Sequence, residues 1–355
     1  MVSNEHEKRL SIGLLAHNEE ARIEETLRSL FAQDVFQHFA TEIVIVANGC
    51  TDKTVAIAEH SLADHQGVWA ACGSARVEEI TTAGKTNAWN QFVHRFSSPQ
   101  ASVLVLMDAD IKILNPNTIS SMVATLQGSP RAVICVDRNV KDIEIKANRT
   151  LFERLLVAAT PTINFDNIAL CGQLYCAPSV QLRLINLPVE LAAAEDGFLR
   201  ALLLTHGFTK PEDPRRIIMD SSVAHSFASV ATLRELFKHE KWLVVGTIVT
   251  VLLFERFWAE ASPDRSAMAL MQDWQAQDSK WLSNYIQSQV KVRGWHLLPK
   301  GCWTRRWSRL RGQPPWGFVC RLPVAAIATT VDAIIFIAAI RDVRRGRAFR
   351  YWGRK

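Results

Sequence analysis

Over the first two-thirds of the chain, short apolar runs alternate with stretches of helical periodicity. "LSIGLLA" (residues 10–16), "EIVIVA" (42–47) and "VLVLM" (103–107) have the length and composition of buried strands. "NEEARIEETLRSLFAQ" follows the first run and puts Ile23, Leu27, Leu30 and Phe31 on one helical face. "TDKTVAIAEHSL" predicts a second helix, opened by Thr51 and Asp52, both good capping types. A weaker strand is expected between Val68 and Ile80, and "GKTNAWNQFVHRF" reads as a helix. "AVICVD" adds a strand after Pro130, and "NRTLFERLLVAAT" a helix ending at Pro161. "ELAAAEDGFLRALLLTHGF" predicts a helix that stops at Gly207, and "RRIIMDSSVAHSF" an extended run. Strands alternating with helices predict an α/β fold with a mostly parallel central sheet covered on both faces.

Near residue 230 the pattern changes, which divides the chain into 1–230 and a helical extension, 231–355. Nine of the eleven tryptophans follow Lys241, interleaved with arginine in "WHLLPKGCWTRRWSRLRGQPPWGF". Both side chains suit a headgroup boundary, with an apolar ring or stem and a polar tip. "WLVVGTIVTVLLF" (242–254) is apolar but too short to span a bilayer before Glu255 and Arg256. "LPVAAIATTVDAIIFIAAI" (322–340) is near the lower length limit and contains Pro323 and Asp332. The pattern leaves spanning and interfacial attachment open, with an ordinary Trp-rich helical core as the competing reading.

Composition narrows this picture. With 48% apolar and 21% charged residues in 355, the chain has material for a sizeable core and is not a disordered polymer. The net charge of +6 is mild but uneven, concentrated in "RDVRRGRAFRYWGRK" from Arg341. That stretch carries no nucleic-acid module signature, so no nucleic-acid partner is expected. The seven cysteines form no CxxC pair or zinc spacing, which fits a reducing cytosol. "MVSNEHEKRL" lacks an apolar signal region, so a secreted chain is not expected.

The candidate chemistry sits at the end of the run 103–107, where the chain meets Asp108 and Asp110 with one alanine between them. In an extended segment that spacing puts both carboxylates on one side. Ligands of open α/β sheets lie beyond the carboxyl ends of the strands. Two hard oxygen donors there suit Mg²⁺ or Mn²⁺ holding a diphosphate. Alone, such a pair is as well explained by a solvated loop.

Four further segments change the odds. "SIGLLAHNEEARIEETLRSL", "IVIVANGCTDKT", "AGKTNAWNQF", "LMDADI" and "AAAEDGFLRALLLTHGF" resemble, in that order, the motifs of family 2 of the inverting glycosyltransferases. That family includes cellulose, chitin and hyaluronan synthases and dolichyl-phosphate mannose synthases. The resemblance covers about residues 10–228. It implies a GT-A (nucleotide-diphospho-sugar transferase) fold and sugar transfer from a nucleotide-diphosphate donor with Mg²⁺ or Mn²⁺. Carried over, Glu19, Asn48, Asp52, Lys85 and Asp108 fall in the donor-nucleotide pocket, and Asp110 is the principal metal ligand beside Asp108. Asp196 is the general base with Glu195 next to it, His225 completes the metal site, and Gly172 lies under the acceptor sugar.

The sequence departs from the family pattern in two places. Asn48 stands where an aspartate is usual, which leaves the nucleotide base open. The QxxRW motif of processive synthases is missing after Asp196, which points to addition of one or a few sugars. A lipid-linked or glycan acceptor, a membrane-surface partner and the cytoplasmic face of the membrane follow as expectations, in envelope or exopolysaccharide assembly. The competing readings are a degenerate GT-A scaffold or sugar-nucleotide sensor, and a nucleotidylyltransferase, which "LLAHNEEARIE" disfavours for want of a glycine-rich loop.

Overall fold

The computed structural model describes residues 9–71, 73–150, 168–229, 232–308 and 315–349. The helix expected at 148–160 falls largely outside them. The chain divides into two units. One comprises residues up to Val189 with Glu195–Ser229 and Ser262–Gln272; the other comprises Glu190–Ala194, Val230–Ala261 and the residues from Asp273.

The first unit is built on β1 (Arg9–Ala16), α1 (Ile23–Phe31), β2 (Ala40–Asn48), α2 (Thr54–Asp64), β3 (Gly73–Ile80) and α3 (Lys85–Gln91). β4 (Val103–Asp108), β5 (Ile111–Ile113), α4 (Thr118–Gln127), β6 (Ile134–Lys141), β7 (Leu174–Pro178), α5 (Glu195–Leu204) and β8 (Ile217–Phe227) follow. The eight strands form one sheet in the order β3-β2-β1-β4-β7-β6-β8-β5. β3, β2, β1 and β4 run parallel, whereas β7 joins β4 and β6 antiparallel and β5 joins β8 antiparallel. The sheet is therefore mixed, and the parallel arrangement expected from strand–helix alternation holds for its first half.

β1 lies between two neighbours and is buried on both faces. Its even-numbered side chains Leu10, Ile12 and Leu14 join Ile23, Leu27 and Leu30 of α1 in the core. On the other face Gly13 leaves room for Phe92. A Cβ at Gly13 would lie 2.6 Å from that ring, which explains a glycine inside a central strand. Because β1 pairs in register with β2 and β4, the strands end together at Ala16, Asn48 and Asp108.

Two predicted helices are shorter than the sequence implied. α3 gives way after Gln91 to one π-helical turn, Phe92–Phe96. α5 begins at Glu195 rather than Glu190, because Ala194 has φ 60°, which a right-handed helix does not accommodate. Its end is as expected: the backbone turns left-handed through His206, Gly207 and Phe208.

The second unit is helical. α6 (Leu233–Glu260) opens on a capping box, with Thr232 and Glu235 satisfying each other's backbone amides. α7 (Ala267–Gln277) bridges into it, followed by α8 (Trp281–Arg293) and α9 (Pro315–Arg344). The apolar run 242–254 belongs to a helix of 28 residues, so its length had been underestimated from hydropathy alone. Charged residues at both ends are carried along because the capping box and helix-forming Leu, Glu and Lys extend the element past the apolar run. α6 and the Leu322–Arg344 part of α9 are both long and apolar enough to cross a membrane by length and composition. The two helices are tied by Lys241 near the start of α6 and Asp342 near the end of α9, 2.7 Å apart.

Candidate active site

Three loops meet at the carboxyl end of the parallel strands. The turn after β1 and the turn after β2 are bound to each other along four positions. Asn18 Oδ1 accepts from the Thr51 amide at 2.8 Å, and Thr54 Oγ1 from the Glu19 amide at 2.7 Å. Asp52 Oδ2 accepts from the Glu20 amide at 3.1 Å, and Glu20 Oε2 from the Lys53 amide at 3.0 Å. Asn18 has φ 54°, a conformation its short polar side chain tolerates. Burial raises the Asp52 carboxyl, but the hydrogen bonds from Thr54 and Glu20 outweigh it and hold the group below the ordinary carboxylate range. Asp52 is thus a turn-forming residue in this structure; the cap position of α2 falls on Lys53, without a side-chain cap, rather than on Thr51 or Asp52.

Asn48 ends β2 fully buried. Its Oδ1 accepts from the Gly84 amide at 3.1 Å, and its carbonyl meets His17 Nδ1 at 2.6 Å. Its Nδ2 is buried without a partner.

Asp108 is the last residue of β4, and its amide donates to the Gln173 carbonyl at 2.8 Å. Ala109 is buried while Asp108 and Asp110 are half-buried; the chain leaves the strand after Asp108 and turns at Ala109 and Asp110, so the expected extended Asp-Ala-Asp segment is not formed. Lys85, the first residue of α3, reaches Asp108 Oδ2 at 2.8 Å and Glu195 Oε1 at 3.2 Å. Both pairs are largely withdrawn from solvent: the side chains of Lys85, Asp108 and Glu195 are 15%, 18% and 11% exposed. Burial alone would lower the ammonium's pKa, but the attraction of Asp108 and Glu195 raises it well above the ordinary lysine value. Lys85 is therefore a fixed cation.

Burial pushes Asp108 up to about 6, against the pull of Lys85 and with the push of neighbouring Asp110. Asp196 is also raised, first by burial and then by the charge of Glu195, while Lys85 and the Gly172 and Gly197 amides partly oppose this. Gly172 earns its place by contact: a Cβ there would lie 3.0 Å from Asp196 Cβ. A small cavity of about 10 Å³ lies among Lys85, Trp89, Asp108, Gly172, Tyr175 and Glu195. Beneath it Trp89 Nε1 donates to Tyr175 Oη at 2.6 Å, and burial raises the phenol's pKa.

Four carboxylates with a single ammonium leave an excess of negative charge at this end of the sheet. That donor set fits a hard divalent cation such as Mg²⁺ or Mn²⁺, held by one or two carboxylates together with phosphate oxygens. Among the described residues, no three His, Cys, Asp or Glu side chains converge on a metal position. In particular, His225 does not join Asp108 and Asp110. It is fully buried on β8, with Nδ1 2.8 Å from Asp137 Oδ1 and Nε2 3.3 Å from Gln173 Oε1. Asp137 and Gln173 were not anticipated. The signal for Asp137 was present, since "AVICVD" drives a buried strand into an aspartate as "VLVLMD" does.

The sequence of residues 11–171 matches the family model described as Glycosyl transferase family 2. The chain carries a family 2 glycosyltransferase domain. The family of that domain is one of glycosyl transferases. No curated protein matches the chain. Among solved structures it is similar to a mannosyltransferase from Pyrobaculum calidifontis in complex with GDP-Man and Mn²⁺, with 17% identity and a TM-score of 0.55. That alignment covers 94% of this chain and 86% of that one. The chain thus has a GT-A-like α/β fold with a mixed sheet, followed by a C-terminal helical extension. Residues 1–349 of S. aureus TarS in complex with UDP-GlcNAc give 16% identity and a TM-score of 0.46, over 96% of this chain and 92% of that one. Glucosyl-3-phosphoglycerate synthase from Mycobacterium tuberculosis, with Mn²⁺, UDP-glucose and phosphoglyceric acid, gives 19% and 0.44, over 70% and 79%.

Proposed function

We propose that this family 2 glycosyltransferase moves one sugar at a time, with inversion, from a nucleotide-diphosphate donor to a lipid-linked or glycan acceptor. The reading places it at the cytoplasmic face of the membrane, in envelope or exopolysaccharide assembly. The observation that carries the chemistry is the joining of Asp108 to Glu195 through Lys85, which sets the strand-end aspartate beside the Glu195–Asp196 pair.

In this reading Asp196 accepts the proton of the acceptor hydroxyl as that oxygen attacks the anomeric carbon. A carboxylate with a raised pKa and a buried setting is suited to that task. Glu195 keeps Lys85 in place, and Gly172 leaves room for Asp196 and the acceptor. Lys85 meets the negative charge that develops on the departing diphosphate. Asp110 and Asp108 would hold Mg²⁺ or Mn²⁺, which neutralises the diphosphate when bound. His225, held by Asp137, would reach that site only after its Nε2 leaves Gln173. Glu19, Asn48 and Asp52 line the nucleotide side. Attack opposite the diphosphate inverts the anomeric centre.

A donor screen tests this: purified protein, Mn²⁺ or Mg²⁺, and a panel of UDP-, GDP- and dTDP-sugars, read as released nucleotide diphosphate and as thermal shift. Metal-dependent release from one donor, abolished by chelator and lost in Asp110→Ala and Asp196→Asn, is the expected result. No turnover and no metal-dependent binding of any donor would reduce the chain to a GT-A scaffold.

A further inference from the structure

The outward face of α9 is apolar for most of its length. Val324, Ile327, Val331, Ile334 and Ile337 recur at helical spacing and are 67%, 67%, 46%, 55% and 37% exposed. Ala326 and Thr330, also on this face, add no charge. One turn beyond Ile337 the stripe ends in exposed Arg341, followed by exposed Arg344, Arg345 and Arg347. Trp303 and Trp307 lie exposed in the preceding segment, and the Trp303 ring meets Phe336 of α9 edge-on with centroids 5.1 Å apart. Phe336 is buried on the face away from the stripe, so Trp303 is not part of it. The apolar stripe with the basic cluster at its end is what is complementary to an anionic lipid surface.

The opposite face decides how the helix meets that surface. Asp332 lies midway between Leu322 and Arg344, the limits of the candidate span. It is 5% exposed, roughly 160° around the helix from the centre of the stripe. Arg305 and Arg306 both bind its carboxylate, each with two hydrogen bonds of 2.8–3.1 Å. Their side chains remain 39% and 34% exposed. A helix crossing the bilayer would carry these three charged groups to the middle of the hydrocarbon, where charge is most costly. A helix lying in the plane of the interface keeps them on its wet side and puts only the stripe into the acyl layer.

We propose that α9 is an in-plane membrane anchor: its Val324–Ile337 stripe enters one leaflet, Arg341, Arg344 and Arg345 engage anionic headgroups, and the Asp332–Arg305–Arg306 cluster stays outside. This deepens the membrane reading above and is independent of the glycosyl-transfer chemistry.

The test is flotation of the full-length protein with phosphatidylcholine vesicles, with and without phosphatidylglycerol. The protein floats with the anionic vesicles and is released from them by alkaline carbonate. Replacing Arg341, Arg344 and Arg345 with serine weakens this binding by about fivefold per arginine, roughly 100-fold in all. Ile327→Glu with Ile334→Glu abolishes flotation, and Ile327→Ser with Ile334→Ser reduces it. Both retain the wild-type circular dichroism and melting temperature. Carbonate-resistant attachment overturns the in-plane geometry in favour of a span but leaves the membrane reading standing. Failure to float, or a vesicle-independent dimer broken by the stripe variants, overturns the lipid partner itself.

Discussion

The ammonium of Lys85 lies 2.8 Å from Asp108 and 3.2 Å from Glu195, joining a strand end to a helix start that lie 87 positions apart in the chain. Each partner depends on it. Lys85→Met leaves two largely buried carboxylates without their counter-ion. A loss of about 1–3 kcal/mol is expected, below the range for fully buried pairs because all three side chains keep some solvent. Urea unfolding measures it, and an unchanged midpoint would mean that the pair contributes nothing to folding.

Asp196→Asn should lower kcat by about 10²–10⁴, the range of general-base catalysis, with donor affinity by thermal shift preserved. Loss of donor binding instead would move Asp196 from the base role to the nucleotide pocket.

The pH profile follows from the same group. Burial and the Glu195 charge raise the Asp196 pKa, and the base works only when deprotonated. Activity therefore falls with decreasing pH at a higher pH than for an ordinary aspartate. Glu195→Gln removes a neighbouring negative charge and should shift that acid limb downward in kcat. An unmoved limb would show that the two carboxylates are not coupled in the working enzyme.

Gly172→Ala puts a methyl group 3.0 Å from Asp196 Cβ, so the aspartate must shift by a few tenths of an ångström. Misplacing a catalytic group by about 1 Å costs roughly 100-fold, and a shift of this size should cost about tenfold in kcat with little change in Tm. Wild-type kcat in this variant would separate Gly172 from the reacting groups.

In the helical unit, burial raises the Asp332 carboxyl, but hydrogen bonds from Arg305 and Arg306 outweigh it and hold the group at about 2. An unfolded aspartate titrates near about 3.9. The pair's stabilisation is thus complete above that value and disappears as pH falls through about 2. Circular dichroism melts across this window should show the loss in the wild type and its absence in Asp332→Asn.

Much of the first unit was legible because its determinants are local. The runs at residues 10–16, 42–47 and 103–107 are apolar on both faces, and only a strand with neighbours on each side buries them. The apolar run correctly ended at Asp108, but the extended reading of Asp-Ala-Asp did not hold, because the chain turns at Ala109 and Asp110. Order of motifs identified the family domain. The start of α5 was misjudged because "ELAAA" has high helix propensity, while Ala194 is held left-handed by its surroundings.

What the sequence could not determine is which charges meet. Nothing local to Lys85 selects Asp108 and Glu195 over a phosphate or solvent; that pairing exists only because β4 ends, and α3 and α5 begin, at one edge of the sheet. His225 was legible as a histidine after the Glu-Asp motif, but its burial against Asp137 depends on β6 and β8 lying side by side. Asp332 is the same case in the helical unit. Hydropathy registers one acid in an apolar helix, whereas two arginines from 26 and 27 positions earlier give that acid its partners and the helix a wet side. Periodicity and motif order act along the chain and survive in the sequence. Ion pairing and burial act across it and are decided only when the chain has folded.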